Sequence, residues 1–252
     1  MRARRLMPIA LTLLLVSCAG AVRTNATARH SLGTASPAPT EAAVVRPPAS
    51  PSSVGASLAS AEADFDCDGG TDRLEFFARV AEAPGDANRL AQLTLATGAV
   101  HELMLVASVD GAPLIGTADV NGDGCDDAIV TLDRGASTTQ ATFLVYDRGE
   151  LRRVQEDGRP ATFLFGGSVR HGNAIECRRT KDAAEIVVRG VSDYTSDYQW
   201  DAVEDVHRWA TRSELVLWST TPSVIRVAVR YALPADESRY WGLSCGSLNV
   251  GH

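Results

Sequence analysis

The chain has 252 residues, enough for one or two domains, and a formal charge of −7 at neutral pH. That acidity argues against nucleic-acid binding, which depends on neutralising phosphate with basic side chains. Lys181 is the only lysine; the other basic residues are arginines, and with so many alanines the composition suggests a GC-rich bacterial genome.

Taken in order, the chain begins with Arg2, Arg4 and Arg5, followed by the apolar run Ile9–Val16. This is the n-region and h-region of a signal peptide, too short to span a bilayer as a helix. Loss of those arginines with the leader would leave the mature chain more acidic still. The run ends in Leu15-Val16-Ser17-Cys18, which resembles the lipobox of bacterial lipoproteins. The resemblance implies a signal peptide over 1–17, lipidation of Cys18, and a membrane-anchored protein on the extracytoplasmic face. In a diderm cell, Ala19 after the cysteine favours the outer membrane by the same resemblance. The alternative is an ordinary secretory leader with an incidental cysteine, and it too exports the protein.

Residues 18–60 are rich in Ala, Ser, Thr and Pro, with Pro37-Ala38-Pro39 and Pro47-Pro48-Ala49-Ser50-Pro51 opposing helix and central strand. We expect a disordered tether there, with an end-to-end distance of roughly 35 Å by flexible-chain scaling. Asn25-Ala26-Thr27 matches a glycosylation sequon by chance.

From 61 to 252 the texture is β-rich. Strands are expected at Leu74–Val80, Gln92–Ala96, His101–Ala107, Ala128–Leu132, Thr142–Tyr146, Leu151–Val154, Thr162–Phe165, Glu185–Arg189, Tyr198–Trp209, Glu214–Trp218 and Val224–Tyr231. Ala96-Thr97-Gly98-Ala99 and Asp147-Arg148-Gly149-Glu150 read as hairpin turns. Short, regularly spaced strands predict an all-β, antiparallel domain, long enough to bury a core.

Two acidic stretches carry the strongest chemical signal. The first places Asp64, Asp66 and Asp68 at alternate positions, then Gly69, Gly70 and Asp72; the second places Asp119, Asn121 and Asp123 likewise, then Gly124, Cys125 and Asp127. Hard cations such as Ca²⁺ take several oxygen ligands, and a Gly-containing turn can supply them. The carboxylates would repel one another without a cation. Unmetallated turns are the plain alternative, since Asp, Asn and Gly favour turns for their own backbone reasons. Asp64, Asp66, Asp68, Gly69 and Glu75 also meet EF-hand spacing, with Leu74, Phe77, Ala78 and Ala81 available to an exiting helix. Against that reading, Thr71 stands where an apolar residue belongs, no helix enters, and loop two has Val130 where the bidentate Glu would be.

Both loops resemble the acidic turns of FG-GAP/VCBS repeats, found in integrin-type β-propellers and in many secreted bacterial proteins. The resemblance implies Ca²⁺ held by Asp64, Asp66, Asp68, Asp72 and the Gly70 carbonyl in loop one. In loop two it implies Asp119, Asn121, Asp123, Asp127 and the Cys125 carbonyl. It also implies propeller-like or VCBS-like repeat units; with no third acidic turn after Asp127, a complete closed propeller is not expected. The rest of the chain is similar only in texture to uncharacterised exported actinobacterial proteins with such repeats.

After Cys18, four cysteines remain, and in an exported protein an even count reads as disulfides with three possible connectivities. Cys67 and Cys125 lie in the two similar loops, which favours Cys67–Cys125 and therefore Cys177–Cys245. Their scattered spacing is not that of a zinc site.

Catalytic candidates are weaker. Gly242-Leu243-Ser244-Cys245-Gly246 matches the nucleophile elbow, but of its acid and histidine partners only His252 follows. Asp205 and His207 would share a strand face and could do acid–base work, against a plainer solvated face anchored by Trp209. His30, His101 and His171 have no ligand cluster around them in the sequence. Tyr194, Tyr198 and Trp200 could stack on a protein or carbohydrate ligand, though Trp200 and Trp209 read better as core. The sequence therefore predicts a lipid-anchored, calcium-stiffened binding or scaffold module and not an enzyme. The alternatives are an envelope hydrolase or accessory domain using Asp205 and His207, and an EF-hand-type calcium protein.

Overall fold

Apolar runs divided by Gly, Asp and Pro fold into strands throughout residues 54–79, 88–108 and 113–251, the part of the chain described by the computed structural model. The leader, Cys18, most of the expected tether, and His252 lie outside these residues. β1 (Val54–Ala63), β2 (Asp72–Arg79), β3 (Asn88–Thr94) and β4 (Val100–Val106) form a four-stranded sheet in sequence order, each pair antiparallel. β5 (Leu114–Ala118), β6 (Asp127–Arg134), β7 (Thr138–Asp147) and β8 (Glu150–Arg153) repeat that order with the same antiparallel pairing.

The second group does not stand alone. After β9 (Gln155–Glu156) and β10 (Arg159–Pro160), β11 (Phe163–Ser168) pairs with the first part of β7, beside the segment that β8 occupies. It continues into β12 (His171–Arg179), β13 (Ala184–Ser196), β14 (Gln199–Trp209) and β15 (Glu214–Arg226), making one 13-stranded sheet. β16 (Gly242–Cys245) runs parallel to β12, and β17 (Leu248–Val250) pairs with β16. The fold is all-β and mostly antiparallel, and no sheet closes into a barrel.

β6 explains where the core sits. Its apolar run has no polar alternation because both faces are covered. Ala128 and Val130 pack with Phe65, Leu74, Phe76 and Leu93 of the first unit. Ile129 packs the other way, with Phe143, Phe163, Ile175, Ile186, Leu215 and Leu243. A third cluster joins Trp200, Val191, Tyr240 and Trp241.

Several strands differ from expectation, each for a physical reason. β1 begins at Val54, ahead of the boundary expected near 61, because small residues without apolar period still pair along β2. β12 reads as polar, yet it is held by charge across the register: Arg178 faces Glu185 at 2.6 Å, and Glu176 reaches Arg189 at 2.6 Å. β5, β16 and β17 were also not expected; each is short and made by pairing with a distant or adjacent strand. The stretch Ser219–Ser223 does not separate two strands. β15 runs through it, and Pro222 is tolerated because β9 covers this strand only at Glu214 and Leu215, leaving an edge. The strand ends at Arg226 and does not reach Tyr231.

Candidate metal centre

The two acidic loops occupy equivalent places. Loop one closes the β1–β2 hairpin beyond the pair Ala63↔Asp72, and loop two closes β5–β6 beyond Ala118↔Asp127. Strands therefore flank loop one on both sides, and Glu75 lies on β2 paired to Arg73. The helices an EF-hand needs are not formed, because Leu74 and Phe76 alternate into a sheet core instead of following helical period.

Inside each loop four hydrogen bonds from backbone N–H to side chain correspond position by position, and loop two adds one from Gly122 N–H to Asp119 Oδ1 at 2.7 Å. The first aspartate takes the glycine N–H, Gly69 to Asp64 Oδ2 at 3.1 Å and Gly124 to Asp119 Oδ2 at 3.2 Å. The third position takes the fifth residue's N–H, Asp68 to Asp66 Oδ1 at 3.1 Å and Asp123 to Asn121 Oδ1 at 2.9 Å. The fifth takes the seventh's, Gly70 to Asp68 Oδ1 at 2.6 Å and Cys125 to Asp123 Oδ1 at 2.9 Å. The last aspartate, buried in both loops, accepts from the residue after the first: Phe65 N–H to Asp72 Oδ2 at 2.8 Å, Val120 N–H to Asp127 Oδ2 at 3.0 Å. Gly69 and Gly124 both sit at positive φ, +81° and +93°, which is where the bend requires glycine.

The loops also hold each other. Asp126 N–H donates to the Asp64 carbonyl at 2.8 Å, and Asp64 N–H reaches Asp126 Oδ2 at 3.3 Å. Cys67 of loop one is disulfide-bonded to Cys125 of loop two, and Cys177 of β12 to Cys245 of β16. Two disulfides fit an oxidising, extracytoplasmic compartment. Cys67 and Cys125 also lie near Asp123, but sulfurs joined to each other are not thiolate ligands.

Chemically the loops part company. In loop one, carboxylate oxygens of Asp64, Asp66 and Asp72 lie within 4.8 Å of one another, a triad able to hold a metal ion. Asp64 Oδ1 is buried without a hydrogen-bond partner, so one oxygen faces the triad's surroundings unsatisfied. Burial raises the Asp66 carboxyl above its ordinary range, and the charges of Asp72, Asp68 and Asp64 raise it further against the Asp68 N–H. The donor set of carboxylates suits a hard cation. Asp68 stands apart from the triad, exposed.

Loop two has cations of its own. Arg179, the last residue of β12, pairs with Asp119 Oδ1 at 2.8 Å and also donates to the Asp119 carbonyl. Arg212, in the β14–β15 connection, lies 3.3 Å from Asp123 Oδ2. The Asn121 amide donates to Asp123 Oδ2 at 3.0 Å and to the Arg212 carbonyl at 3.2 Å. Among the described residues, arginine ion pairs fall on Asp119 and Asp123 and on none of the four loop-one aspartates. Sequence reading missed both arginines, and no local signal could have found them, since they arrive from a strand and a connection far along the chain.

No protein-family model matches this chain, and neither a curated protein nor a solved structure is similar to it at a significant level.

The remaining candidates are placed as follows. Ser244 lies within β16, so the strand-to-helix elbow is not formed. His207 is buried on β14, but its Nδ1 meets Glu156 Oε1 at 2.6 Å and its ring packs edge-on against Phe163. That is a satisfied core histidine joining β14 to β9. Trp200 is buried with its indole N–H on the Ala232 carbonyl, while Tyr194 and Tyr198 are exposed near the tip of the β13–β14 hairpin. His171 takes Ser168 Oγ at 2.8 Å within the β11–β12 hairpin.

Proposed function

We propose that this protein is an exported, lipid-anchored binding or scaffold module in which Ca²⁺ stiffens the junction of two β units. The convergence of Asp64, Asp66 and Asp72 carries this reading, because three carboxylates at one hairpin closure repel one another until a cation neutralises them. Asp72 also accepts the Ala96 N–H, so an ion there would brace the turn that leads from β3 to β4. The disulfide to loop two passes the constraint to β5 and β6. The anchor rests on the lipobox-like Leu15-Val16-Ser17-Cys18, which supports attachment to the membrane through the N-terminus. The exposed Tyr194 and Tyr198 are of the residue type that contacts protein or carbohydrate ligands.

Thermal unfolding of the purified full chain with and without Ca²⁺ tests the reading. A ligand held only by the folded state stabilises it by about 2.7 kcal/mol at a hundredfold excess over Kd. The melting temperature should rise in millimolar Ca²⁺, and Asp66→Asn should remove most of the rise. An unchanged melting temperature in the native chain would rule out the calcium role.

A further inference from the structure

Loop two repeats the backbone of loop one yet is supplied with positive charge by the chain itself. We propose that Arg179 and Arg212 are the resident cation of loop two, occupying with their guanidinium groups the role a metal ion fills in loop one, so that the protein takes one divalent cation and not two. The proposal deepens the calcium reading of loop one and rests on it for the count of ions, but not for the part played by the arginines.

Four observations converge on it. Arg179 binds Asp119 twice, through the carboxylate at 2.8 Å and through the backbone carbonyl. Its guanidinium lies close against the loop backbone: a Cβ on Gly122, which sits at a φ of +85° that itself favours glycine, would be 2.3 Å from Nη1. Arg212 Nε lies 3.3 Å from Asp123 Oδ2, and its carbonyl takes the amide of Asn121. Asn121 itself donates to Asp123, which a carboxylate at this position could not do. Loop one has none of these: its matching residues are Cys67, at the place of Gly122, and Asp66, at the place of Asn121.

The physical logic is that of a tethered ion. A guanidinium stays charged at every relevant pH and presents several N–H donors to carboxylate and carbonyl oxygens at once. Because it is covalently part of the chain, its presence does not depend on external concentration. Arg179 and Arg212 also come from β12 and the β14–β15 connection, so these guanidinium groups tie loop two to segments far along the chain. Loop one would respond to Ca²⁺ and loop two would not.

Calorimetric titration of Ca²⁺ into the full chain and three variants decides it, with circular dichroism to show that each is folded. The native chain should bind one ion, Asp66→Asn none, Asp123→Asn still one, and the double variant Arg179→Ala/Arg212→Ala two. Two ions on the native chain would overturn the proposal, as would loss of the single ion in Asp123→Asn but not in Asp66→Asn. No ion on the native chain but one on the double arginine variant would refute calcium in loop one and leave the arginine role standing. No ion on either would overturn both. Should the double variant not fold, Arg179→Ala and Arg212→Ala are titrated singly; a second ion on either supports the arginine role, and no second ion on either overturns it.

Discussion

Asp127 is buried with its Oδ2 on the Val120 N–H, and burial pushes its carboxyl well above the ordinary 3.8, with Asp123 and Asp119 adding repulsion. Asp66 is shifted the same way, first by burial and then by its three neighbouring aspartates. A raised carboxyl pKa means that the folded state holds the proton more tightly than the unfolded chain. The stability these groups contribute is therefore complete below the ordinary carboxylate value and is lost as pH rises through the raised one. Asp127→Asn keeps an acceptor for Val120 while removing the charge. In EDTA, its melting temperature relative to the native chain should climb by a few degrees between acid and mildly alkaline pH; a gap that does not change with pH would contradict this account. The roles of Asp72 and Asp127 were only half legible. Spacing marked them as the closing residues of the loops, but that both would be buried acceptors for a backbone N–H in their own loop depends on the strands that cover them.

At the scale of elements, the two hairpins β1–β2 and β5–β6 share one register at their loops, and the Cys67–Cys125 bridge joins them across 58 residues of chain. Cross-linking so long a loop restricts the unfolded chain, and Cys67→Ser/Cys125→Ser should lower stability by about 2–4 kcal/mol in denaturant titration. Ca²⁺ should still stabilise that variant, because Asp64, Asp66 and Asp72 all belong to loop one; loss of the calcium effect with the bridge would show that the bridge shapes the site. The loops could be found in the sequence since their pattern is local and each position repeats. β1 and β12 could not. β1 has no apolar period, and β12 is stabilised by arginine–glutamate pairs whose partners are on β13. Within β15, Ser219–Ser223 reads as a break because Ser, Thr and Pro signal a turn unless the strand is an edge.

For the whole molecule, β6 packs against the first sheet on one face and shares the core on its other face with β12, β13 and β15, while Val191, Trp200, Tyr240 and Trp241 form a separate cluster farther from the loops in sequence. Local opening follows local packing. Ca²⁺ should therefore slow amide hydrogen exchange in β1, β2 and the turn at Ala96, and to a lesser degree in β5 and β6. Exchange in β13–β15 should be unchanged, and uniform slowing along the chain would show that the ion acts on global unfolding alone. By itself, the sequence determined the β class, the two acidic turns and the cysteine count, because each is written in neighbouring residues or in composition. Only the tertiary structure decided which acidic turn gathers carboxylates with no arginine ion pair among the described residues and which is filled by Arg179 and Arg212. Charge neutralisation acts over a few ångströms in space, and the side chains that supply it here come from segments that no spacing rule connects to the loop.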